Sequence, residues 1–197
     1  SASASVDETV REDLVLKVSI LAEKYMSDGT WYVDSMTELI HRGGDIVSDE
    51  IWHRVAFHIN NSPDVQGYAA QSMLQYIESP LANVKIVNLA AQILGEYQHK
   101  INNGPSVEHQ IDVLVSKYYL FDDHRTRGII LSALAKYLLK YPNMAPKLTP
   151  VFEHSSTSTN QELQQRACEY INMLSLDANL AEFITKQKPS LAVETSS

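Results

Sequence analysis

The sequence predicts an all-α protein in which pairs of helices repeat along the chain. Apolar residues recur at helical spacing through most of the 197 residues, and no stretch shows a convincing period-two alternation of a half-buried strand. The chain has only seven glycines and seven prolines, which are fewer turn residues than a β-sandwich or barrel of this length would need. Since 44% of the residues are hydrophobic, the chain can also bury a core.

The first predicted helix runs from about Asp7 to Met26 and ends at Gly29, which suits a left-handed C-terminal position. One of its faces carries an apolar stripe at steps of three and four residues. The stripe is formed by Val10, Leu14, Val18, Leu21 and Tyr25. A stripe of this kind predicts that the helix lies on one neighbouring helix.

The later helices are each bounded by residues that cap or break a helix, such as Gly43-Gly44, Asn60 to Pro63, Ser79-Pro80 and Asn102 to Pro105. They are expected at about residues 30–42, 48–59, 64–78, 83–101, 106–120, 123–141, 145–154, 160–174 and 178–186. The stretch 83–101 is apolar almost all round, which predicts a helix covered on more than one side. Three glycines, Gly67, Gly95 and Gly128, fall inside these helices, where close helix contacts would explain them.

Grouped in pairs, the helices begin repeats near residues 7, 48, 83, 123 and 160, at steps of about 41, 35, 40 and 37 residues. HEAT and armadillo arrays repeat a helix pair every roughly 40–47 residues. The spacing therefore favours a right-handed α-solenoid of HEAT/armadillo type with about five helix pairs, and a plain helical bundle is the alternative. We expect the repeats to span residues 7–186. Residues 1–6 are expected to be disordered or foreign to the native chain, and residues 187–197 to be a linker or frayed end.

Charge is distributed unevenly along the chain. The formal net charge of −8 argues against binding to nucleic acid, which requires a basic surface. Residues 1–82 carry 13 acidic and 5 basic residues, whereas residues 83–197 carry 11 of each. Within the second part we single out a candidate basic patch for a partner or an anionic membrane. It comprises Lys117, Arg125, Arg127, Lys136 and Lys140, with Lys147 nearby. The alternative is an ordinary solvated surface.

Sequence motifs for catalysis, metal binding or cofactor binding are absent. The seven histidines show no metal-binding spacing, and there is no Gly-x-Gly-x-x-Gly or phosphate-binding lysine loop. Asp122-Asp123-His124 is interpreted as a helix N-cap with first-turn residues. The single Cys168 excludes an intramolecular disulfide, suits a reducing cytosol and is expected to be a small buried apolar residue. No apolar run approaches the roughly 18 residues of a membrane span. We therefore expect no catalytic residues, no cofactor and no metal.

Five ordered strings resemble the trunk of the large adaptin chains of clathrin adaptor complexes. They are LVLKVSILAEKY at 14–25, TWYVD at 30–34, DVQGYAA at 64–70, ILGEY at 93–97 and ELQQRACEY at 162–170. The resemblance covers about residues 8–176, and the second and third strings are most similar to the alpha class, which belongs to the endocytic adaptor complex 2. The resemblance implies an armadillo-like solenoid from the C-terminal part of the trunk. The family's phosphoinositide-binding cluster and dileucine-cargo pocket match no residues here.

The resemblance further implies a non-enzymatic scaffold that supports cargo selection and vesicle formation in clathrin-mediated endocytosis. Its implied partners are a beta large chain, a medium chain and a small chain, with clathrin and accessory proteins contacted indirectly. Its implied location is the cytoplasm, peripheral on the plasma membrane at clathrin-coated pits through the whole complex. Two alternatives stay open: a Golgi or endosomal adaptor large chain, and a generic HEAT-repeat regulatory scaffold.

Overall fold

The computed structural model describes residues 2–174, with side chains described from residue 5 to residue 172. This part of the chain contains helices and turns and no β-strand. The helices are α1 (Ala2–Glu23), α2 (Gly29–Gly43), α3 (Asp49–Asn60), α4 (Gln66–Glu78), α5 (Val84–Tyr97), α6 (Val107–Leu120), α7 (His124–Lys140), α8 (Ala145–Ser156) and α9 (Gln161–Leu174). None of them combines the length and apolarity needed to cross a membrane.

The predicted helices are confirmed in number and order as far as residue 174, and their ends differ by a few residues. Helix α1 begins at Ala2, so residues 2–6 are helical where a disordered segment is expected. Helix α5 ends at Tyr97, because the chain tightens into a 3-10 turn at Gln98–Lys100. The predicted helix at 178–186 and the predicted tail at 187–197 lie outside the described residues.

The described part of the chain divides after Leu134 into two compact units, residues 2–134 and residues 135–174. In the first unit, α5 packs against both α3 and α4, and α1 packs on α2. Nine residues of α5 are buried, which confirms that this helix is covered on more than one side. The largest fully buried side chains of the unit include Trp52, Tyr32, Tyr118 and Met36. In the second unit, α8 packs on α9, and the rings of Phe152 and Tyr170 lie 5.8 Å apart.

Hydrogen bonds between side chains mark the repeat within the first unit. They join residues separated by 34–38 positions, close to the predicted repeat steps. The pairs are Tyr68 with Asp34, Tyr76 with Glu38, Lys85 with Asp49, Tyr97 with Asn60, and Lys100 with Gln66. Each pair joins equivalent regions of neighbouring helix pairs, as expected of a stacked helical repeat in which each unit contacts the next.

Gly67 sits where α4 approaches the 3-10 turn after α5. A Cβ atom on Gly67 would lie 2.7 Å from the carbonyl oxygen of Lys100, which is closer than real contacts allow. The prediction that close contacts explain the helical glycines is therefore confirmed at this position.

Gly67→Ala is expected to lower the free energy of unfolding by about 1 kcal/mol, because the displaced backbone outweighs the gain in helix propensity. Urea denaturation followed by circular dichroism measures this change. Gln75→Ala on the exposed side of the same helix is the control and should leave stability nearly unchanged. A stabilised Gly67→Ala variant would contradict the close approach.

Candidate functional site

Two side chains of the predicted basic patch bind the carboxyl ends of helices. Lys117 is only 4% exposed, and its Nζ donates a hydrogen bond to the Ser79 carbonyl oxygen just beyond α4 at 2.8 Å. Burial lowers the pKa of Lys117. Arg127 donates through Nε to the carbonyl oxygen of Phe121 at 2.8 Å, just beyond α6. Both cations therefore lie where the helix dipole favours positive charge.

Lys117→Met is expected to destabilise the protein by about 1 kcal/mol. The methionine stem keeps the packing, but the Ser79 carbonyl loses a charge-assisted hydrogen bond. Lys140→Met is the matched control, since Lys140 is exposed at the end of α7. Thermal unfolding of the two variants distinguishes a lysine that caps a helix from one that is only exposed. Equal melting temperatures would show that Lys117 does not act as a cap.

Arg125 belongs to a polar cluster at the amino-terminal ends of α3, α5 and α7. Its Nη1 donates to Asp49 Oδ2 at 2.5 Å, and Lys85 Nζ donates to Asp49 Oδ1 at 2.5 Å. Burial alone would raise the pKa of Asp49, but hydrogen bonds from Lys85 and Trp52 and the charges of Lys85 and Arg125 lower that pKa to about 2. Asp49 is thus an anion between two cations.

The aromatic side chains of Trp52 and His53 lie beside this polar cluster. Trp52 Nε1 donates to Asp49 Oδ1 at 3.1 Å, and the Trp52 and His53 rings stack with centroids 3.7 Å apart. The Arg125 guanidinium lies 5.6 Å from the Trp52 ring centroid, and its Nη2 donates to His53 Nε2 at 2.8 Å. His53 Nε2 must therefore be unprotonated. Burial, followed by the charge of Arg125, lowers the pKa of His53, which favours that neutral form.

The rest of the predicted patch lies in the second unit. Lys136 is half-buried and Lys140 is exposed on α7, and Lys147 is half-buried on α8. Of the patch residues in the first unit, Lys117 is buried and Arg125 and Arg127 are held by acceptors within the protein. The prediction that the patch binds a partner or an anionic surface stays a prediction.

Helix α1 presents an apolar face to solvent. Its exposed large apolar side chains are Val6, Val10, Leu14, Val18, Ile20 and Leu21, and the exposed Tyr25 follows in the turn after the helix; all are between 41% and 64% exposed. The helix packs on α2, and its buried residues Ser19 and Ala22 lie on a different face from this stripe. The prediction that the stripe lies on a neighbouring helix is wrong for the described residues. An apolar face of this length is typical of an interaction surface.

A partly buried ion pair attaches the end of α1 to α3. Glu23 receives two hydrogen bonds from Arg54, each 2.7 Å long, and its carboxylate lies 3.2 Å from His58 Nε2. The hydrogen bond from Arg54 is the main cause of a lowered Glu23 pKa, partly opposed by burial. This contact fixes the direction of α1 and hence of its apolar face.

Two further residues, Asp123 and Cys168, test what is expected from the sequence. Asp123 accepts hydrogen bonds from the Thr126 backbone at 2.8 Å and the Thr126 hydroxyl at 2.6 Å, which confirms the predicted N-cap of α7 and lowers the Asp123 pKa. Cys168 is exposed, so the prediction that it is buried is wrong. Among the described residues, no three His, Cys, Asp or Glu side chains are placed to hold a metal ion.

Asp49 and Lys85 are the cluster residues that sequence analysis missed. Asp49 was identifiable only as a first-turn acid of α3, and Lys85 had no assigned role. The available signal was their separation of 36 residues, which equals one repeat step and places equivalent helix ends beside each other.

Comparisons with known proteins place these features in a family context. Residues 2–178 match the adaptin N-terminal region. The chain is 35% identical to AP-2 complex subunit alpha-2 of Dictyostelium discoideum, over 94% of this chain and 19% of that protein. It is 23% identical to AP-1 complex subunit gamma-2 of Arabidopsis thaliana, over 97% of this chain and 24% of that protein. The chain thus spans about a fifth of the length of these relatives.

The fold also resembles a chain in a homology model of the full-length AP-3 complex in an intermediate open conformation. The TM-score is 0.70 at 17% sequence identity, and the match covers 89% of this chain and 34% of that chain. At this identity the likeness concerns the fold alone. It confirms the predicted fold class, an all-α helical repeat of the solenoid type.

Proposed function

Because the chain belongs to the adaptin family, we propose that it is a non-enzymatic scaffold segment of a clathrin-associated adaptor complex. In this proposal it is part of an alpha large chain and supports cargo selection and vesicle formation in clathrin-mediated endocytosis. The observation that carries the proposal is the 35% identity to an AP-2 alpha subunit against 23% to an AP-1 gamma subunit. The polar contacts described above join helices to one another, and this supports a role in packing.

The proposed partners are a beta large chain, a medium chain and a small chain, with clathrin and accessory proteins reached through the complex. The complex would act at coated pits on the cytoplasmic face of the plasma membrane. Affinity purification of the tagged full-length chain should recover all three partner classes. Recovery of none of them would remove the adaptor proposal.

A Golgi or endosomal adaptor is the second candidate, favoured by the match to the gamma subunit. Imaging of the tagged full-length chain distinguishes the two. Plasma-membrane puncta support the endocytic complex, whereas perinuclear puncta support the alternative.

We propose that the apolar face of α1 receives a further helix of the longer adaptin chain. The proposal is supported by the exposure of Leu14 and Leu21 and by the length of the relatives. Leu14→Glu combined with Leu21→Glu should destabilise the full-length chain, because it buries charge at a helix contact. The same pair of changes should leave the unfolding of the 197-residue chain nearly unchanged. Equal effects in both chains would contradict the proposal.

The part of the basic patch that lies in the second unit, Lys136 and Lys140, has its own test. Lys136→Glu with Lys140→Glu should weaken binding of the full-length complex to anionic liposomes if these lysines contact a membrane or another anionic surface. Unchanged binding to liposomes and to the purified partner chains would assign both lysines to an ordinary solvated surface.

A further inference from the structure

One carboxylate connects helices from three successive repeats. Asp49 is the first residue of α3, Lys85 is the second residue of α5, and Arg125 is the second residue of α7. Lys85 Nζ and Arg125 Nη1 each lie 2.5 Å from a different Asp49 oxygen. The amino-terminal ends of alternate helices are therefore tied together on one side of the first unit.

The reach of Arg125 sets this contact apart from the other contacts between repeats. In stacked repeats each repeat normally contacts only its neighbours. The side-chain pairs described above join residues 31–38 positions apart, which is about one repeat. Arg125 and Asp49 are 76 positions apart, which is two repeats, so Arg125 passes beyond the intervening repeat to the one before it.

The surroundings of Arg125 hold its guanidinium in one place. It stands over the Trp52 ring at 5.6 Å and donates to His53 Nε2 at 2.8 Å, in addition to the bond with Asp49. All these acceptors belong to α3. Since guanidinium groups are planar and make several directed hydrogen bonds, this arrangement specifies a geometry as well as an attraction.

The exposure of the pair argues against a large role in overall stability. The Arg125 and Asp49 side chains are 50% and 39% exposed, and ion pairs this accessible contribute little to the free energy of unfolding. A contact that contributes little to stability but spans two repeats acts mainly on the angle between repeats. The angle can change only if α7 moves relative to α3, and this motion breaks the bond.

We propose that Asp49, Lys85 and Arg125 form a strap that fixes the angle between successive helix pairs of the first unit. With the strap closed, the spacing between α3 and α7 is held to one value. When the bond between Arg125 and Asp49 is broken, α7 can move relative to α3 about α5. The surfaces at the two ends of the first unit then change their separation. The inference rests on the geometry of the first unit and is independent of the adaptor function proposed above.

Distance measurements between spin labels test the strap. Ser48 and His124 are exposed and precede α3 and begin α7, so both are changed to cysteine, and the exposed Cys168 is changed to serine. Pulsed electron paramagnetic resonance on this chain should give a narrow distance distribution. Adding Arg125→Met should broaden the distribution and shift it to longer distances, while the helix content by circular dichroism stays unchanged.

A matched control removes a contact that spans a single repeat. Tyr97→Phe deletes the 3.0 Å hydrogen bond between Tyr97 and Asn60, which joins α5 to α3, and should leave the distribution narrow. An unchanged distribution in Arg125→Met, or equal broadening in both variants, overturns the proposal.

Salt gives a second measurement on the same labelled chains. Since the Debye length falls to about 3 Å at 1 M salt, raising the salt concentration should broaden the distribution of the labelled chain. The same salt should leave the distribution of Arg125→Met unchanged, because the bond between α7 and α3 is already absent. Insensitivity of the labelled chain to salt counts against an ionic strap.

Discussion

Replacing Trp52 by alanine is expected to lower the free energy of unfolding by about 3–5 kcal/mol, the range found when a large buried aromatic side chain is truncated. Trp52 is 1% exposed and is the largest of the fully buried side chains among the described residues. Its ring stacks on His53, and its Nε1 donates to Asp49. Truncation therefore leaves a cavity and also removes a hydrogen bond from a partly buried carboxylate.

The chain provides its own matched control for this change. Trp31, the other tryptophan, is 44% exposed and contacts Tyr25 edge to face at 5.8 Å. Trp31→Ala removes the same side chain from a surface position, so its effect should stay below about 1 kcal/mol. Urea denaturation followed by circular dichroism compares both variants with the parent chain. Equal losses would show that Trp52 is not at the centre of the first unit's packing.

The order of the helices could be predicted because its causes are local. Asn83 accepts hydrogen bonds from the Lys85 and Ile86 backbone amides, and Ser106 accepts one from the His109 amide. Each cap lies directly before an apolar periodic stretch, so both signals are visible in a short window of sequence. The spacing of these windows then indicated the repeat.

The faces of the helices were harder to predict, because burial depends on neighbours far along the chain. Lys117 is polar but lies under the carboxyl end of α4, 38 residues earlier. Cys168 follows the buried Ala167 directly, and one residue rotates a helix by about 100° onto another face. The stripe of α1 has the pattern of a packed face, yet the buried residues of the helix are Ser19 and Ala22. Small residues allow close approach but give a weak apolar signal.

The ion cluster could be predicted only in part for a related reason. A first-turn aspartate such as Asp49 is expected wherever a helix begins, because the helix dipole favours it. Its contact with Arg125 arises from the stacking of repeats, which brings helix ends 76 residues apart into contact. No window of sequence shorter than two repeats contains this information.

Removing Arg54 is expected to give the second large loss of stability, about 2 kcal/mol at neutral pH. The Glu23 side chain is only 16% exposed, so Arg54→Met leaves a largely buried carboxylate without its two main hydrogen bonds. The double change Glu23→Gln with Arg54→Met removes that charge and should recover more than half of the loss. Chemical denaturation of the parent, the two single variants and the double variant completes the cycle.

The pH dependence separates a loss of pairing from a loss of packing. The pKa of Glu23 is lowered in the folded protein, so its contribution to stability is present above the ordinary pKa of 4.5 and is lost as the pH falls through the folded value. In Arg54→Met the carboxylate keeps only the nearby His58 and burial opposes its charge, so this contribution becomes smaller. The difference in unfolding free energy between the parent and Arg54→Met should therefore shrink as the pH is lowered from 7 toward 3.5 (about one unit below the ordinary glutamate pKa). A difference that stays constant over this interval would mean that Arg54 acts through its aliphatic stem and not through its charge.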